Sequence, residues 1–308
     1  MAKRHPADEE LTAALSILAE IDAAVSRWLP GENMPSENAE TVDVAETERA
    51  DKVGVVEPSK SEEPNVAAVI AATNAADGVK SPHARLARRF DDDIHTIIAQ
   101  ASDTEIPSFQ EKILRRFLPG RLPQDMRRRD GVLAARLVVS LERASRLIAA
   151  LTAHRQIMQN HLSLIEADLV ERIDAVKSAD EGDSATVTTA EALAARQDVV
   201  EAIIRHEAAC NSVYHKLSIE AERALIVLHA LSGGQGISLA DQLSGEAREA
   251  LSPLLALSDK GMLSMREVDR RKSSVDDNFQ HRFNPSAVRT DTNTITAEKN
   301  PLPQTLSA

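Results

Sequence analysis

The sequence predicts an all-α protein built on one long antiparallel helical hairpin. Three observations carry that expectation. Between Gly131 and Leu231 the chain has one Tyr and no Phe or Trp, so aliphatic side chains must supply the packing volume that aromatics usually fill. Apolar residues recur there at steps of three and four, the spacing of a supercoiled helix. A polar break near Gly182, with Asp and Ser around it, divides the stretch in two.

The first helix is expected over Gly131 to Lys177. Its seam is Leu137, Leu141, Ala144, Ile148, Leu151, Met158, Leu162, Ile165, Leu169 and Val176, with gaps at Arg155 and Arg172. Val138, Leu147, Ile157 and Ile173 widen the stripe, which suits a bundle with more than one partner helix. At about 1.5 Å per residue it would run roughly 70 Å.

The second helix is expected from Thr188, where Thr188 and Glu191 have the spacing of a capping box. Its face is Val199, Ile203, His206, Cys210, Val213, Leu217, Ala224, Val227 and Leu231, and Gly233-Gly234 close it. A loop this short makes the two helices antiparallel neighbours. If the turn lies near residue 182, paired residues have numbers summing to about 365.

The remaining domains follow from composition. Residues 1–30 contain a short amphipathic helix, Asp8 to Leu29, with Leu11, Leu15, Leu18, Ile21, Val25 and Trp28 on one face. Leu15, Leu18 and Trp28 are its candidate docking residues, for a partner or for the hairpin itself. Residues 31–80 hold eleven Asp and Glu against four Lys and Arg and are expected to be a disordered acidic linker. Residues 81–130 carry short helices at His83 to Ala101 and Ile106 to Leu118, then a basic segment. Residues 131–258 are the hairpin plus short helices interrupted by Pro253. Residues 259–308 read as a disordered polar tail.

Function classes narrow less than fold. The net charge of −12 argues against general nucleic-acid binding by the whole chain. Between Lys112 and Arg146, however, ten bases face three acids. Arg115, Arg116, Arg121, Arg127, Arg128 and Arg129 are the candidate contacts to an anionic partner, whether protein, lipid headgroup or nucleic acid. No phosphate loop or nucleophile elbow is present. Gly233-Gly234-Gln235-Gly236 lacks the lysine of a phosphate cradle, and Asp91-Asp92-Asp93 with His95 reads as solvated helix surface. The single Cys210 fits a reducing compartment. The absence of a signal-peptide pattern or an apolar run long enough to span a bilayer fits a cytoplasmic location. Arg outnumbers Lys by 26 to 10, a bias that points to a bacterial source.

The hairpin register also brings His154, His161, His206 and Cys210 toward one layer, and imidazole with thiolate suits zinc. The plainer reading has the histidines flanking the seam toward solvent or a third helix, with Cys210 a buried structural thiol. No metal, cofactor or catalytic residue is therefore expected. The sequence reads as a non-enzymatic helical scaffold or adaptor of a bacterial cytoplasmic assembly, self-associating through its hairpin. A nucleic-acid-associated accessory protein, using residues 112–146, and an effector exported without a cleaved signal are the alternatives.

Overall fold

The computed structural model describes residues 6–29, 66–102, 124–178, 185–231 and 243–284. Among them all regular structure is helical. Two long helices form the hairpin, α4 (Gln124–Ser178, 55 residues) and α5 (Ala185–Leu231, 47 residues). At about 1.5 Å per residue they span roughly 80 and 70 Å. Around them pack α1 (Pro6–Ser26), α2 (Val66–Asp77), α3 (Pro82–Ser102), α6 (Gly245–Ala250), α7 (Ser252–Asp259) and α8 (Met265–Phe283). No described helix is long and apolar enough to cross a membrane.

The expected seam is the core. Leu137, Leu141, Ala144, Ile148, Leu151, Met158 and Ile165 of α4 are buried, as are Val199, Ile203, His206, Cys210, Val213, Leu217, Ala224 and Val227 of α5. Leu162 and Leu169, farther out, are half-buried. The register holds as well. Gln159 Nε2 donates to Glu207 Oε1 at 2.9 Å and Arg196 meets Asp168 at 2.6 Å, both within one position of the expected pairing.

Four boundaries differ from expectation. Helix α4 starts at Gln124 rather than Gly131. Helix α5 starts at Ala185, so Thr188 lies inside it and is not its cap. The expected linker, 31–80, gives way at Val66 to α2, whose Val69, Thr73 and Ala76 are buried. Ten of the linker's eleven acids precede residue 64, and only Asp77 lies on α2. An average over the segment hid an uncharged, Ala-rich stretch that costs little to order as helix. The expected tail, 259–308, contains α8, which buries Val268, Phe279 and Phe283. Each Phe contributes roughly 1.5–3 kcal/mol of apolar burial. Residues 31–65, the expected helix at Ile106 to Leu118, Gly233-Gly234 and residues 285–308 lie outside the described residues.

Local chemistry sets the shorter helices. Ser81 accepts the Ala84 N–H at 3.1 Å and Pro82 opens α3, a polar cap followed by a residue with no N–H to satisfy. Ser244 caps α6, and Pro253 sits in the first turn of α7, separating the two as expected. Gly261, at φ 65°, ends α7: its N–H reaches Ser258 O and that of Met262 reaches Leu257 O, both at 2.9 Å. A Cβ would strain that left-handed backbone.

The apolar interior falls into two clusters. One joins the inner half of the hairpin to α1, α3, α6, α7 and α8. The other joins its outer half to the C-terminal part of α1, Trp28 and α2.

Candidate functional site

A polar node lies between the two apolar clusters. His154 sits one turn from Leu151 on α4, and His206 one turn from Cys210 on α5. All three polar residues are buried, at 3%, 0% and 4% exposure. The two rings meet edge to face with Nε2 atoms 2.8 Å apart. Cys210 Sγ lies 3.3 Å from His206 Nε2, and the three donor atoms fall within 4.8 Å of one another.

Two carboxylates turn the rings this way. His206 Nδ1 is 2.8 Å from Asp77 Oδ1, at the end of α2. His154 Nδ1 is 2.9 Å from Asp22 Oδ1 of α1, close in distance though off the direction of an N–H bond. The Asp77 bond calls for a proton on His206 Nδ1, and the Nε2 positions of the two rings converge on the same point. A further buried histidine lies outside this group of three donors. His83 of α3 is 2% exposed, and neither of its ring nitrogens makes a well-formed hydrogen bond. Burial first, then the charge of His206, with a smaller push from His154, lowers its pKa from 6.5 to about 4; the Ala14 backbone opposes this. Burial, followed by Asp77, pushes the Cys210 thiol far above its ordinary range.

A second polar node lies farther along α5. Lys216 Nζ is 2.5 Å from Asp91 of α3 and 3.2 Å from Glu220, and it also pairs with Asp276 of α8. Lys272 reaches Asp276 at 2.5 Å, Glu220 at 2.6 Å and Asp91 at 3.2 Å. Arg223 meets Glu220 at 3.1 Å. Asp91, Glu220 and Asp276 could by distance enclose a cation, but two ammonium groups and a guanidinium already occupy that role. Burial pushes Asp91 up, yet hydrogen bonding and charge from Lys216, then Lys272, outweigh it and hold the carboxyl at about 2. Burial pulls Lys272 down, and its bonds to Asp276 and Glu220 more than restore it. Asp91 was expected on a solvated surface; it is instead turned into the bundle, because α5 and α8 supply its counter-ions.

The other expected site residues scatter. Arg115, Arg116 and Arg121 lie outside the described residues. Arg127 and Arg128 fall in the first turns of α4, where side chains are not described, and Arg129 is half-buried. Farther along the basic run, Arg143 pairs with Asp8 at 2.8 Å, Arg136 with Asp93 at 3.8 Å and Arg146 with Glu246 at 4.0 Å. Leu18 and Trp28 are buried against the chain's own helices, with Trp28 under the Arg196 guanidinium at 5.8 Å, while Leu15 is 36% exposed. Of the two placements expected for the N-terminal helix, this is the one folded back on the hairpin. His161 is half-buried and stays outside the node.

Sequence reasoning placed His154, His206 and Cys210 in one layer but missed Asp22, Asp77 and His83, which come from separate helices. Compared with protein-family models, curated proteins and solved structures, the chain matches none.

Proposed function

We propose that the protein is a non-enzymatic helical scaffold of a cytoplasmic assembly, working through protein–protein contact and pairing with a second copy along the outer hairpin. The observation that supports this reading is a set of exposed aliphatic side chains on that arm: Ile157, Leu164 and Val170 on α4 and Ile204 on α5, at 38%, 48%, 59% and 47% exposure. Ile157 and Leu164 are seven residues apart and share one helix face. Beyond the Asp168–Arg196 pair, α4 runs on to Ser178 and α5 starts back at Ala185, which adds roughly 15 Å of arm. The pairing of Arg136, Arg143 and Arg146 with internal carboxylates weighs against the basic run as a nucleic-acid face.

Sedimentation velocity across a wide concentration range tests the reading. A concentration-dependent dimer is expected, and Ile157→Glu with Leu164→Glu should dissociate it without loss of helicity. A chain that stays monomeric throughout contradicts the pairing. Sub-micromolar, salt-sensitive binding of generic duplex DNA at about 0.15 M salt would replace the scaffold reading with the nucleic-acid one.

A further inference from the structure

The histidine–thiol node asks for a proton or a metal ion at its centre. Asp77 accepts from His206 Nδ1 at 2.8 Å, Asp22 stands 2.9 Å from His154 Nδ1, and the two Nε2 positions face each other across 2.8 Å. Two bare lone pairs at that distance would repel, so a proton or a metal ion must lie between them. A single proton meets the need in the simplest way. It leaves unexplained why a thiol stands 3.3 Å from the same point, and why His83, a further nitrogen donor, is buried without a well-formed hydrogen bond.

We propose that His154 Nε2, His206 Nε2 and Cys210 Sγ bind one borderline divalent transition-metal ion, of which zinc is the representative, with Asp22 and Asp77 orienting the two histidines. The site goes beyond the scaffold reading and does not depend on it. The donor set is one that zinc selects, two imidazoles and a thiolate. The outer shell is the recurrent one in which each ligating histidine gives its other ring N–H to a carboxylate. For the two nitrogens the adjustment is small: at zinc–nitrogen distances of about 2.0–2.1 Å, tetrahedral ligand nitrogens stand roughly 3.3 Å apart, so the rings separate by about 0.5 Å from their present 2.8 Å.

Charge balances as well. A dication with one thiolate carries the same net charge as the proton it displaces. The ion enters, the inter-ring proton and the thiol proton leave, and the two carboxylates see an unchanged total. Burial holds the thiol proton tightly, so the ion competes with that proton and its affinity depends on pH. Because the ligands sit on α4 and α5 and the carboxylates on α1 and α2, the ion would fasten those two shorter helices to the hairpin.

The full chain, stripped with a chelator and checked for helicity, is titrated with zinc chloride against a chromophoric competitor. One ion per chain with a sub-micromolar dissociation constant is expected, together with a zinc-dependent rise in melting temperature. Cys210→Ser and His154→Gln should each weaken binding at least tenfold. Asp77→Asn, which removes no ligand atom, should weaken it about 10–100-fold through the outer shell. Asp91→Asn, at the lysine node, should leave it unchanged. Affinity should rise with pH as the two protons become easier to displace. If a helical wild-type chain takes up no stoichiometric zinc, the proposal fails. It fails equally if zinc binds with the same affinity after His154→Gln, His206→Gln and Cys210→Ser are combined, since the ion would then sit elsewhere.

Discussion

The two polar nodes of the hairpin are solutions to the same problem with opposite chemistry. Both are buried against α5, and Cys210 and Lys216 are separated by about 9 Å of helix. At the lysine node, the carboxylates of Asp91, Glu220 and Asp276 meet Lys216, Lys272 and Arg223. Every charge there has a protein partner of opposite sign. At the histidine node, among the described residues, the carboxylates of Asp22 and Asp77 pair with imidazoles, and the imidazoles meet each other and a thiol, with Arg155 and Arg282 acting on the thiol only through their charge. Hard ammonium charges close the first node. Titratable nitrogen and soft sulfur leave the second dependent on protons or a metal ion. The difference teaches that a cluster of carboxylates within coordination distance says little by itself; what faces them decides whether a cation is still required.

Removing a counter-ion from the closed node should have the largest effect. Lys216→Met leaves Asp91, Glu220 and Asp276 one cation short in a site where Lys216 is 4% and Glu220 0% exposed at the side chain. Breaking such a pair is expected to cost roughly 3–5 kcal/mol, read from chemical denaturation. The apolar layer between the nodes comes next. Leu151 is fully buried, and Leu151→Ala should cost roughly 2–5 kcal/mol if the site cannot collapse. An unchanged melting temperature would mean that the two nodes are not held apart by a packed layer.

Acid should then separate the nodes in order. The His83 pKa is about 4 in the fold against 6.5 in the unfolded chain, so between those values the unfolded state binds the extra proton. Stability is therefore complete above pH 6.5 and declines toward pH 4, by up to about 3 kcal/mol. His83→Gln should flatten that limb in denaturation curves measured at successive pH values. Asp91, depressed to about 2 from 3.8, contributes stability that is lost only below pH 4. The lysine node should thus yield after the histidine node, and a single unfolding limb confined to pH below 4 would contradict the assignment. The smallest effect is expected at the rim. Arg143→Ala removes a pair to Asp8, which is 47% exposed at the side chain, and should change stability by less than about 1 kcal/mol.

The hairpin was legible because its signal is local and periodic. Leu137 through Ile165 and Val199 through Val227 repeat at helical spacing, and the break at Gly182 fixes the register that brings His154, His206 and Cys210 together. Around the hairpin, α1, α3 and the break at Pro253 were legible too, but α2 and α8 were not, for two physical reasons. Helix α2 is short and Ala-rich, and its acidic flank masked it. Helix α8 has nine charged residues among nineteen, so it read as solvated, yet Arg271, Lys272 and Asp276 pair with Glu222, Glu220 and Lys216 of α5. One clue lay in the sequence. Charged residues interrupt the apolar face of α5 around Leu217 and Ala224, at Lys216, Glu220 and Arg223. Charged residues along a seam call for partners from another element, and the i, i+4 pair Lys272–Asp276 supplies them. No local pattern identified Asp22, Asp77 or His83, whose meeting depends on how three separate helices dock.

The contrast between the nodes is tested most directly by the visible absorption spectrum of the full chain after chelator treatment and addition of one equivalent of cobalt(II), a spectroscopic substitute for zinc. The account expects intense d–d bands of a four-coordinate ion and a sulfur-to-cobalt charge-transfer band, the latter lost in Cys210→Ser and both unaffected by Asp91→Asn. A weak six-coordinate spectrum without a sulfur band, or one that changes with Asp91→Asn, would contradict it.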